Sequence, residues 1–156
     1  MTYRRRLQLE GGALAASGAL GTILLLALKG DDATAGPTST IVQIGIVAVL
    51  MATLGARSVR RSMERAAELE PAEPSSGEPT PLWQHPLIVA GLTLPFGLVD
   101  AWDAALRVCG GCVMVGLAQA LLLSSMVARE EARRGVRFHR VPGSSLFTGT
   151  KLGAVR

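Results

Sequence analysis

A chain of 156 residues with 49% hydrophobic and only 18% charged residues falls below the roughly 25% charge of a typical soluble domain. The formal net charge of +4 and pI near 9.8 would suit nucleic acid. With aromatics at 4%, however, no base-stacking rings accompany the arginines. No nucleic-acid partner is therefore expected, and the segregation of the charges into short clusters points to an integral membrane protein instead.

Taken in order, the chain begins with Arg4, Arg5 and Arg6 and continues into an apolar run over residues 11–28. At 18 residues this run exceeds the roughly 7–15 of a signal-peptide core, so a retained first span is expected. Small multidrug transporters carry a glutamate inside their first span. Glu10 sits too near the basic end for that role and is expected to reach the interface or pair with the arginines. Residues 29–40 (KGDDATAGPTST) form a turn-rich loop, with Thr38, Ser39 or Thr40 as candidate caps for a second span over 41–56. Arg57, Arg60, Arg61 and Arg65 follow on a helical extension that reaches about residue 69. Residues 70–81 (EPAEPSSGEPTP) hold four prolines in twelve positions, the composition of an extended linker.

A third apolar run covers 82–99, with Trp83 and His85 at an interface position, Pro86 in the first turn and Pro95 inside. In a three-span arrangement this would be the run that re-enters rather than crosses, given its two prolines and the short turn after it. Asp100 to Asp103 make a short turn in which Asp103 and Arg107 stand four apart, acid first, as a helical ion pair requires. The fourth run, 108–128, has 21 residues without a charge. As a helix it matches the roughly 30 Å hydrocarbon core of a bilayer. Arg129, Glu130, Glu131, Arg133 and Arg134 end it abruptly, and a basic, glycine-rich tail from 135 to 156 is expected to be loosely held.

The predicted fold is all-α, with four transmembrane helices in two hairpins (residues 1–69 and 82–134) joined by the linker at 70–81 and followed by the tail. An even number of spans puts the first arginines, the 57–81 loop and the tail on one side. Those segments hold three, four and seven basic residues, fourteen of the sixteen in the chain. Lys29 and Arg107 share the other side with Asp31, Asp32, Asp100 and Asp103. The positive-inside rule then predicts a multi-pass protein of the inner (plasma) membrane with both termini cytoplasmic. Arg4, Arg5, Arg6, Arg57, Arg60, Arg61, Arg129, Arg133 and Arg134 are the residues expected at anionic headgroups.

Small residues every four positions predict packing ridges: Ala13, Ser17 and Gly21 on the first span, Ala48, Ala52 and Ala56 on the second, and Cys112, Gly116, Ala120 and Ser124 on the fourth. Gln119, the most central polar side chain, is expected to hydrogen-bond between helices. Cys109 and Cys112 have redox spacing, and on a helix they share a face. The pattern resembles the Cys-x-x-Cys of vitamin K epoxide reductase-type enzymes, which implies a membrane thiol oxidoreductase. This chain lacks the second cysteine pair those enzymes carry. His85 and His139 have no ligand motif, and residues 143–151 lack phosphate-loop spacing, so neither metal, cofactor nor nucleotide is expected. The expectation is a non-catalytic accessory or scaffold subunit that assembles with other membrane subunits or with itself. The alternatives are a homo-oligomeric channel, transporter or holin-like pore, and the thiol oxidoreductase. The Ala-, Arg- and Gly-rich usage suggests a high-GC bacterial source.

Overall fold

The computed structural model describes residues 1–29, 37–68, 81, 83–140 and 152–155. Most of the polar loop at 29–40, the linker at 70–81 and the 143–151 segment lie outside these. Four helices carry the fold: α1 (Tyr3–Lys29), α2 (Pro37–Glu64), α3 (Gln84–Leu98) and α4 (Trp102–Arg134). Three short strands accompany them: β1 (Ala67–Glu68), β2 (Arg137–Arg140) and β3 (Leu152–Val155).

Of the four, α1, α2 and α4 are long and apolar enough to cross a membrane. Their outward faces carry bare aliphatic side chains: Ile23 is 64% exposed, Ile46 62%, Val49 65% and Leu121 64%. An apolar belt of this extent is at home in lipid, where helices satisfy every backbone polar group internally. The third helix departs from its predicted run. It has 15 residues, about 22 Å at 1.5 Å per residue, with Pro86 in its first turn and Pro95 accommodated inside.

Two helix boundaries differ from expectation. Pro37 opens α2, a position where its missing N–H is harmless, so Thr38, Ser39 and Thr40 lie inside the helix rather than capping it. At its other end α2 stops at Glu64 instead of reaching residue 69, and the chain turns into β1. Within α4, residues Ala118–Leu123 form a π-helical segment. There Ser124 Oγ donates to the Ala120 carbonyl just below it.

Among the described residues, the tail also departs from the expected loose chain. Gly135 adopts the left-handed conformation (φ 65°) at the end of α4, a backbone geometry that glycine takes without steric cost. The chain then runs back as β2. The sheet order is β1-β3-β2, with β3 parallel to β1 (Ala67 beside Gly153) and antiparallel to β2 (Phe138 beside Ala154). Glu131 Oε1 accepts a 3.0 Å hydrogen bond from Phe138 N and so fixes the start of this strand. Tyr3, Leu7, Val59, Met63, Val127, Phe138 and Leu152 form one buried cluster, with Phe138 and Val127 fully enclosed. The N-terminal turn of α1 and the C-terminal turns of α2 and α4 therefore share one end of the bundle, closed by the sheet. The basic clusters lie at that end.

The opposite end is tied together by Trp102. Its ring packs on Gly97, and Lys29 Nζ stands 4.5 Å from the ring centroid, a cation–π contact. Asp100 turns the chain with φ 54° and accepts a 3.3 Å hydrogen bond from Trp102 Nε1.

Candidate functional site

The closest helix contact joins α1 to α4. A Cβ added at Gly116 would stand 2.5 Å from both Ala15 N and Gly11 O, and one at Gly18 would stand 2.7 Å from Cys109 O. Without a hydrophobic drive between helices in lipid, such backbone proximity is what lets packing forces hold them. On α4, Cys112 and Gly116 lie in this seam. Gln119 and Ala120 border it where a Cβ on Gly11 would come within 3.1 Å of Gln119 Cβ and 2.7 Å of Ala120 N. On α1 the buried strip is Gly11, Ala15 and Gly18, not the Ala13–Ser17–Gly21 ridge. Ala13 and Ser17 are half-buried beside it, the Ser17 hydroxyl donating back to Ala13 O at 2.8 Å. Gly21 faces Cys109, whose sulfur would lie 2.8 Å from an added Cβ. The signal in the sequence for this face is the seven-residue spacing of Gly11 and Gly18, two turns apart.

Gln119 makes no interhelical hydrogen bond among the described residues. A polar tie between helices comes instead from Arg107, whose guanidinium donates to Gln43 Oε1 on α2 at 2.8 Å and to Asp103 Oδ2 at 2.9 Å. The Asp103–Arg107 pair thus does more than stabilise one helical turn, since it holds the arginine across the α2–α4 gap. Below this tie, α2, α3 and α4 enclose a groove of about 510 Å³. Its walls are Ile44, Val47, Ile88, Leu92 and Val115, and Leu14 of α1 lies at its back. Gly111 lines the groove with no atom within 4 Å of where its Cβ would be.

The two cysteines are free thiols in different settings. Cys109 is buried against Gly21, and Cys112 is half-buried and lines the groove. Among the described residues no three His, Cys, Asp or Glu side chains converge as metal ligands would.

At the basic end, Arg6 is buried and pairs with Glu10 at 2.7 Å. Arg4, Arg5, Arg57, Arg60, Arg61, Arg129, Arg133 and Arg134 are exposed. Glu130 accepts from Arg133 at 2.7 Å and from Arg134 at 2.5 Å. These hydrogen bonds hold its carboxyl below the usual carboxylate range and raise Arg133. A lowered carboxyl contributes stability above its unfolded pKa of about 4.3, and this is lost as pH falls through the lower folded value. The pairs are open to water, so the effect is small. Thermal unfolding in detergent between pH 7 and 3 is expected to show a shallower acid-side loss for Glu130→Gln than for the parent; identical profiles would remove the pairing from the stability of this end.

No protein-family model matches this chain, and comparison with curated proteins and with solved structures finds no match either.

Proposed function

We propose that this chain is a four-span inner-membrane protein with both termini cytoplasmic, and that it serves as a non-catalytic accessory or scaffold subunit of a membrane complex. Chain tracing supports the fourth crossing. The chain is at the basic end at β1, next to β3, and at the opposite end by Trp102, beside Lys29. The stretch that contains α3 must connect the two. A helix of about 22 Å is shorter than the lipid core, a mismatch that local thinning and the flanking residues absorb at modest cost. The basic residues gathered at the sheet-closed end support the cytoplasmic placement of that end.

The observation that carries the assembly role is the groove between α2, α3 and α4. It is walled by aliphatic side chains, open at Gly111 and topped by the Arg107–Gln43 pair. These features suit a transmembrane helix of a partner. Gly111 permits close backbone approach, and Arg107 and Gln43 offer hydrogen bonds at the rim.

Gentle detergent extraction from native membranes followed by native mass measurement tests this. A complex with a second membrane polypeptide is expected, and Gly111→Leu, whose Cβ meets nothing within 4 Å, is expected to release it while the helical circular dichroism of the chain stays unchanged. A homo-oligomer or a monomer, or a partner retained by Gly111→Leu, would overturn the proposal.

A further inference from the structure

A second concavity lies at the basic end, where the last turns of α2 and α4 run side by side. It encloses about 330 Å³. Its base is sulfur and methylene: Met63, 3% exposed, and Met126. Its walls are four arginines, Arg60, Arg129, Arg133 and Arg134, with two glutamates among them.

The charges do not cancel. Glu64 is taken by Arg60 at 3.0 Å, and Glu130 is shared by Arg133 and Arg134. Arg129 has no carboxylate partner among the described residues, and the lining is left with two positive charges in excess. Arg134 also donates to the Met63 carbonyl at 3.3 Å, which fixes its guanidinium against the end of α2. The final carbonyls of two helices point to this end and would repel an anion. The arginines more than offset them.

Planar guanidinium forks lining one cleft suit phosphate oxygens. The two methionines, of which Met126 belongs to the apolar run of α4, suit the glycerol and first methylenes of a lipid better than a free ion. We infer that this cleft binds the headgroup of an anionic phospholipid carrying about two negative charges. The inference rests on the proposed placement of the basic end at the inner-leaflet interface. Basic pockets between helices at that level are where such headgroups are held.

Native mass measurement of the delipidated full-length protein, titrated separately with cardiolipin, phosphatidylcholine and inorganic phosphate, tests it. Cardiolipin is expected to bind more tightly than phosphatidylcholine by on the order of tenfold or more. The double variant Arg129→Gln/Arg133→Gln is expected to lose that preference. Arg65→Gln/Arg137→Gln, which removes the same charge from exposed positions outside the cleft, is expected to keep it. Equal affinity for the two lipids, or equal loss in both variants, would overturn the site. Inorganic phosphate displacing cardiolipin at comparable concentration would assign the cleft to a free anion instead. Failure of the membrane placement itself would show separately, as a chain that remains a soluble monomer without detergent and enters no lipid nanodisc.

Discussion

Gly116→Ala is expected to destabilise the protein by about 1–3 kcal/mol, the range for a methyl forced into packed space. Gly116→Leu is expected to prevent the α1–α4 seam from closing. The reason is the nature of the obstacle. The added Cβ would stand 2.5 Å from a backbone nitrogen and a backbone carbonyl oxygen of α1, and 2.9 Å from Ala15 Cβ. None of these swings aside as the tip of a long side chain does, so the two helices must separate along their length. The matched control is Gly12→Ala, on the open side of α1 with nothing within 4 Å. There the extra methyl meets no obstacle, and helix propensity favours alanine over glycine by up to about 1 kcal/mol. Unfolding by graded addition of a denaturing detergent, followed by helical circular dichroism, measures both. Equal midpoints for the two variants would mean the helices are not in backbone contact.

Phe138→Ala is expected to cost about 3–5 kcal/mol, the usual range for removing a fully buried phenyl ring. Phe138 is 0% exposed and shares its cluster with Tyr3 of α1, Val59 and Met63 of α2, Val127 of α4 and Leu152 of β3. Its loss therefore loosens α1, α2, α4, β2 and β3 where they meet at the basic end, while leaving the α1–α4 seam intact. Amide hydrogen exchange is expected to rise sharply in β2 and β3 and little in residues 108–116. Unchanged exchange in the strands would show that the ring does not hold the sheet in place.

The sequence made the long helices legible because lipid-facing segments advertise themselves through length and absence of charge. Residues 108–128 could hardly be anything else. The Asp103–Arg107 pair was legible for a similar reason, since helical geometry alone sets its distance, whereas of Glu10 the sequence offered the interface or any of three arginines, and the structure selects Arg6. The sheet was not legible. Its strands are only two to four residues long, too short for an alternating pattern to emerge. Leu152 and Phe138 find each other across a glycine-rich stretch whose composition reads as loose chain. Nor was the packing face of α1 legible. Several registers of small residues fit a helix rich in alanine and glycine, and only the partner's backbone at Gly116 selects Gly11, Ala15 and Gly18. The Arg107–Gln43 bond was hidden for the plainest reason, a separation of 64 residues.

The middle strand of the sheet, β3, is the last of the three along the chain. Its neighbours, β1 and β2, have no ladder with each other, so neither gains a hydrogen-bonded companion until β3 arrives. During synthesis, domains form from the N-terminus onward. All four helices emerge from the ribosome before that keystone, leaving Phe138 without its lid in the interval. A polypeptide without Leu152–Val155 would therefore insert normally yet remain ajar at one pole, and a quality-control protease would have its opening there.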